Sequence, residues 1–191
     1  MHQARDAEGP SADELRRLVE RAQGGDAAAF TALVRAFDPM LRALAYNLLG
    51  DRELMDDILQ DAYLRAFRAL PRFEGRSQVG TWLYRITYNA CLDELRRRKR
   101  RRWFPVAHAG LEEAPDSTED PVEHLARAGE LRAALASLSP EERAAVWLVD
   151  AEGHDYGKAA EVLGVPEGTV ASRLSRARAA LREALAEEAV R

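Results

Sequence analysis

At 191 residues the chain is long enough for one large domain or two small ones, and its net charge of −4 argues against an indiscriminate polyanion binder. Ala, Leu, Arg and Glu dominate, which favours an all-α protein, while a single Cys91 excludes an internal disulfide and any cysteine-based zinc site. The four histidines lack metal-ligand spacing, so no metal or cofactor is expected; with no apolar run near ~20 residues and no signal-peptide core, the expectation is a cytoplasmic chain without membrane insertion.

Residues 1–11 are polar and contain Gly9-Pro10, and they read as a disordered tail. Ser11 or Asp13 is placed to cap a first helix carrying Leu15, Leu18 and Val19. Gly24-Gly25-Asp26 ends it and caps the next, with Phe30, Leu33, Val34 and Phe37 at helical spacing. A separate helix is expected from about Pro39 to Leu49, then a break at Gly50-Asp51. Another runs from about Arg52 to Ala69 and stops before Pro71. Phe73 to Gly80 reads as a loop.

The stretch Thr81–Arg102, TWLYRITYNACLDELRRRKRRR, carries the strongest signal in this half. At 100° per residue, Leu83, Ile86 and Ala90 share one apolar face, and Tyr84, Tyr88, Leu92 and Leu95 share another. Between them runs a polar stripe of Arg85, Asn89 and Arg96, and Arg96 opens a run of seven consecutive basic residues. Arginine neutralises phosphate and asparagine can pair with a base edge, so nucleic acid fits this stripe. The plainer alternative is a core helix running into a solvated basic tail.

Composition then changes abruptly. From Trp103 to His124 there is no Lys or Arg, while Glu112, Glu113, Asp116, Glu119, Asp120 and Glu123 are acidic and Pro105, Pro115 and Pro121 break helices. This reads as a flexible acidic linker, either a plain tether or an acidic strand mimicking nucleic acid. The second module follows from about Leu125, with Leu131, Leu135 and Leu138 on one face. Ser139-Pro140-Glu141-Glu142 is a strong helix start, and Val146 to Val149 supply core.

Asp155 to Leu181, DYGKAAEVLGVPEGTVASRLSRARAAL, has the pattern of a helix-turn-helix. A short helix carries Tyr156, Ala159, Ala160 and Leu163. Gly164 turns the chain, Val165 tucks between two helices, and Pro166-Glu167 starts the second. On that helix Val170, Leu174, Ala177 and Leu181 form the buried side, with Thr169, Ser172, Arg173 and Arg176 opposite. Four arginines and no acid from Gly168 to Arg182 suit a major groove better than plain solvation, since intrahelical ion pairs are unavailable. An ordinary helical hairpin is the other possibility.

Taken together, the chain resembles the sigma-70 family, specifically the short extracytoplasmic-function (ECF) sigma factors. Three motifs carry the resemblance, over about Asp13 to Ala186. Leu54–Phe73 is similar to the core-polymerase-binding helix, Phe73–Arg100 to the promoter-melting and −10 segment, and Gly164–Leu181 to the −35 helix. The resemblance implies an all-α fold of two small helical domains, residues 12–102 and 125–188, joined by the linker 103–124. It implies that Asp56, Asp57, Gln60, Asp61 and Arg65 dock on the clamp helices of core RNA polymerase, with its flap a further contact. It assigns the −10 element to Phe73, Gly75, Arg76, Ser77, Gln78, Arg85, Asn89 and Arg96, and the −35 element to Thr169, Ser172, Arg173 and Arg176. Promoter DNA and an anti-sigma factor are the other implied partners.

Gly157-Lys158 stands where the family usually carries two acids, and Ala160 where it often has Ile or Val, which predicts a weaker helix there. Ala171 replaces a frequent Lys. The sequence shows no core shared by the two modules, consistent with two contacts held on one promoter by a third body. A stand-alone helix-turn-helix regulator and a helical adaptor are the rival readings. No paired-carboxylate pocket, Gly-rich phosphate loop or nucleophile motif points to an enzyme.

Overall fold

The computed structural model describes residues 10–103, 134, 135 and 137–188, and among these every regular element is helical. Helix α1 spans Ala12–Gln23, α2 Ala27–Leu49, α3 Arg52–Ala69 and α4 Val79–Trp103. Then come α5 at Pro140–Val146, α6 at Tyr156–Leu163 and α7 at Glu167–Glu188. A 3-10 turn at Leu70–Arg72 follows α3, and a π-turn at Trp147–Ala151 follows α5. The acidic linker and the expected start of the second module fall outside the described residues, as does most of the N-terminal tail.

The helix starts follow local chemistry. Ser11 accepts from the Glu14 amide, Asp26 from those of Ala28 and Ala29, Asp51 from Leu54 and Asp155 from Lys158. Each satisfies an amide that the first helical turn leaves open. Ser139 and Glu142 form the reciprocal capping box, with Pro140 at the first position. Gly50 and Gly164 close α2 and α6 in the left-handed conformation.

One expected break is absent. Residues on both sides of Pro39 form the single helix α2, with Pro39 inside it. A proline there removes one backbone hydrogen bond and crowds the preceding turn, at about 3 kcal/mol. The helix nonetheless keeps Leu33, Leu41, Leu44, Ala45 and Leu48 in register against the core, all at most 1% exposed. Burying four leucines, at roughly 1.5–3 kcal/mol each, offsets that cost. Helix α4 also begins at Val79, two residues before the expected start. Gly80 matters there, because a Cβ at that position would lie 2.6 Å from the Phe37 ring.

The modules are not separate bodies with separate cores. Within the first, α2 packs on α1, α3 and α4; within the second, α7 packs on α5 and α6; across the boundary α4 meets α6 and α2 meets α5. One buried cluster runs from Leu33 through Leu83, Tyr84 and Tyr88 to Leu148, Val162 and Leu174. The absence of a shared core is thus corrected. Its physical reason is the second apolar face of α4, which one four-helix module cannot cover. The Tyr84 hydroxyl instead faces Glu152 at 3.4 Å, and the Tyr84 ring meets His154 edge-on with centroids 6.1 Å apart.

Candidate nucleic-acid interface

The open stripe of α4 is present as expected. Arg85, Asn89 and Arg96 are exposed while Leu83, Tyr84, Thr87, Tyr88, Ala90, Cys91 and Leu92 are buried. Asp93 joins the stripe and serves as a charge hub, 3.3 Å from Arg65 of α3 and 3.9 Å from Arg96. Beyond it, Glu94 is only 6% exposed and holds Arg97 at 2.6 Å and Arg98 at 3.2 Å, and Arg98 also reaches Asp51 at 3.6 Å. Three of the seven consecutive cations, Arg96, Arg97 and Arg98, are therefore paired within the first module, whereas Lys99, Arg100 and Arg101 stand in solvent. Cys91 is buried, and burial pushes its thiol up to about 12, so it is inert packing.

The loop before α4 is pinned at its base. The Gln23 side-chain amide donates to the carbonyls of Leu70 and Phe73, at 3.2 and 2.7 Å. Phe73 packs on Trp82, with ring centroids 5.0 Å apart. Gly75 has φ +71°, which a side chain would resist. Gly75, Arg76, Ser77 and Gln78 line a cleft of about 1060 Å³, and Arg76 pairs with Glu74 at 2.5 Å. Phe73 serves as the half-buried floor of this cleft. Its far wall belongs to the second module, where His154, Asp155 and Lys158 face the loop.

On α3, Asp56, Asp57, Gln60 and Arg65 are exposed and Asp61 is half-buried. Asp56 pairs with Arg42 of α2, which is also 2.9 Å from Asp38, and Tyr63 donates to Asp38 at 2.6 Å. Desolvation, followed by this hydrogen bond, raises the Tyr63 phenol well above its ordinary value. Arg65 pairs with Asp61 at 2.6 Å. These surface ion pairs fix side-chain directions more than they stabilise. Sequence reasoning missed two neighbours on this helix: Leu64 and Phe67, 49% and 40% exposed, three residues apart. Gln60, Leu64 and Phe67 follow one another at helical spacing, so the polar face continues into an apolar one. The signal was legible in principle, since Leu64 and Phe67 fall outside the α3 core positions Met55, Leu59, Ala62 and Ala66.

Helix α7 buries Val170, Leu174 and Ala177, as expected, whereas Leu181, expected with them, is only half-buried, and Val165 packs against the core from the turn. Ser172 is exposed and donates back to the Thr169 carbonyl at 2.9 Å; Thr169 is half-buried. The arginines are not simply presented to solvent. Arg176 pairs with Glu142 of α5 at 3.0 Å, and Arg178 with Asp150. Ser139, followed by Arg176, holds the Glu142 carboxyl below its ordinary value. Arg173 turns towards α4, near Tyr88, with one guanidinium nitrogen buried and without a hydrogen-bond partner. Gly157 has a local reason: a Cβ there would come within 3.3 Å of both the Asp155 and Glu167 carboxylates.

Residues 33–101 match the Sigma-70 region 2 family model, and residues 128–181 match that for Sigma-70, region 4. ECF RNA polymerase sigma factor SigE of Mycolicibacterium smegmatis is 39% identical over 182 residues, covering 93% of this chain and 70% of that protein. The chain belongs to the ECF sigma factors of the sigma-70 family. RNA polymerase sigma-H factor of Pseudomonas aeruginosa is 35% identical, across 91% of this chain and 94% of its own length. Two solved structures share the fold. The sigma factor RpoE of Bartonella quintana, in complex with the anti-sigma factor NepR, has TM-score 0.65 and 29% identity, covering 82% of this chain and 96% of that one. CnrH with the cytosolic domain of CnrY has TM-score 0.67 and 28% identity, covering 92% and 99%. As a sigma factor, the protein directs promoter-specific transcription initiation by RNA polymerase. Among the described residues no helix is long and apolar enough to cross a membrane, and no cluster of side chains is arranged to hold a metal ion.

Proposed function

We propose that this ECF sigma factor divides promoter recognition between residues 12–102, which capture and open the −10 element, and residues 125–188, which read the −35 duplex. The open stripe of Arg85, Asn89 and Arg96 on α4, together with the cleft lined by the Phe73–Gln78 loop that precedes this helix, carries this reading. It offers cations for phosphate and an amide for a base edge beside a hollow large enough for an unstacked base. Binding energy drives melting: each captured base repays the few kcal/mol of unstacking. The chain therefore acts by binding and not by catalysis. On α7, Thr169, Ser172, Arg173 and Arg176 face the −35 major groove.

Asp56, Asp57, Gln60, Asp61 and Arg65 orient α3 on the clamp helices of core polymerase, and Leu64 with Phe67 supplies the apolar anchor beside them. The linker 103–124 crosses the polymerase channel. The relatives solved with anti-sigma factors support an anti-sigma factor as a further partner. The test is transcription by sigma-free core polymerase on a fragmented genomic template with the purified chain added. Discrete new transcripts sharing an upstream motif are expected. Silence together with absent core binding would instead favour a stand-alone regulator.

A further inference from the structure

Helix α1 stands outside both family matches, which begin at residues 33 and 128, yet its last residue reaches the base of the loop that lines the −10 cleft. The turn after α1 sets Gln23 in place. The Gly25 amide donates to the Ala22 carbonyl at 3.0 Å, and Arg21 pairs at 2.6 Å with Asp26, the residue that caps α2. With the backbone fixed on both sides, only the side-chain rotamer of Gln23 decides where its amide lies.

That amide meets the exit of the 3-10 turn at Leu70–Arg72. Within the turn the Leu70 carbonyl accepts from the Phe73 amide at 3.0 Å, and at Phe73 the backbone leaves extended, with φ −72° and ψ 113°. Gln23 Nε2 spans this change of direction, donating to the Leu70 carbonyl at 3.2 Å and to the Phe73 carbonyl at 2.7 Å. A primary amide carries two donors on one nitrogen and so holds two carbonyls together; a methionine or an ionised glutamate of similar length cannot. At the far end of the loop the Gln78 carbonyl accepts from the Trp82 amide at 3.0 Å, in the first turn of α4. Residues 74–77 are thus suspended between two fixed points, with the φ +71° bend of Gly75 between them. Beneath the first point lies a small buried cluster of Ala22, Ala29 and Leu70, with Phe73 and Trp82 packed against it. Its buried members are distinct from those of the main core, so the base of the loop can loosen locally.

We propose that Gln23 is a positioning residue for −10 base capture, and that α1 is thereby part of the promoter-opening apparatus. The inference rests on the −10 assignment of this loop. By fixing where the chain leaves the 3-10 turn, Gln23 sets the direction in which Gly75 to Gln78 approach an unstacked base. A loop held in its binding conformation loses less conformational entropy when the base arrives, which favours capture over continued stacking.

The test compares wild type with Gln23→Met, which keeps the length of the side chain and removes both donors. In the free full-length chain, backbone order parameters of residues 73–77 are measured by NMR relaxation. They are expected to fall from the rigid range, about 0.85, towards about 0.6 in the variant. With core polymerase, affinity is measured for a promoter fragment recovered by the transcription test, with an intact or an abasic nucleotide at each non-template −10 position in turn. The preference for the intact base is expected to fall roughly fivefold, with −35 duplex capture and core affinity unchanged. Should Gln23→Met fail to fold, Gln23→Asn, whose amide stops one methylene short of the carbonyls, replaces it in both readouts. Unchanged order parameters overturn the pin. A loosened loop with full base preference overturns its part in capture, and an equal loss of core affinity makes Gln23 a structural residue only. A wild type indifferent to the abasic site overturns the −10 reading and this role with it, while the order parameters still judge the pin by themselves.

Discussion

Helices α4 and α7 each present a basic stripe opposite a buried face, yet the two stripes stand in different electrostatic surroundings. On α4 the cations nearest the buried face are neutralised by acids of the first module, Glu94, Asp93 and Asp51, which leaves Asn89 and the terminal cations in water. On α7 no acid lies within the stripe itself, and the partners come from elsewhere: Glu142 for Arg176, Asp150 for Arg178, and the packed surface of α4 for Arg173. A basic helix without internal acids is therefore not a free one. Its partners can be supplied by tertiary contacts that DNA must later replace.

The largest expected effect tests whether the modules share one core. Leu174 is 1% exposed and lies in the cluster that joins them, so Leu174→Ala should lower stability by about 2–5 kcal/mol in a chemical denaturation series. Two resolved transitions in the wild type, one per module, would break the idea of a common core. Next comes the division of labour between the stripes. In the presence of polymerase, Arg173→Ala should weaken −35 duplex capture by about 1–3 kcal/mol, measured by competition binding. Asn89→Ala should impair opening, read by permanganate reactivity of the −10 region, with duplex capture nearly unchanged. Equal losses of duplex capture would refute the division.

Smaller effects follow at the edges. Leu64→Ser, at a side chain 49% exposed, should lower affinity for core polymerase by at least about 1 kcal/mol with little change in melting temperature, whereas Phe67→Ser should also lose the edge-on contact of its ring with Phe30, 5.1 Å between centroids. Ser139→Ala, which removes the capping box of α5, should cost about 1 kcal/mol of stability. The last is a pH effect at the junction. Burial, followed by Lys158, lowers the His154 pKa below its ordinary 6.5. The unfolded chain then binds a proton at higher pH than the folded one. Stability is complete above about 6.5 and declines as the pH falls from there to the folded pKa. His154→Gln should flatten the melting-temperature profile in that window; an unchanged slope would assign it to other groups.

Much of the site was readable because it obeys local rules. The 3.6-residue period separated Arg85 and Asn89 from Leu83 and Tyr88, and the Gly164 turn with Val165 located the helix-turn-helix. What escaped was non-local. Pro39 looked like the start of a new helix, and nothing within a few residues of it reveals that Leu41, Leu44 and Leu48 must continue the register of Leu33. Leu64 and Phe67 carried no assignment in the sequence, and only the packing of α3 showed which of its faces is occupied.

Apart from the division expected at Pro39, the sequence by itself determined the helices, most of their caps, the two basic stripes and the family, because capping, periodicity and charge segregation act over a turn or two of chain. Only the tertiary structure decided where the second face of α4 goes and what Arg143, Arg173 and Arg176 touch. Arg143 and the Asn47 carbonyl are 96 residues apart, and no periodicity links them. Their pairing depends on two helix ends being brought together by apolar burial elsewhere, a geometry that no local pattern encodes.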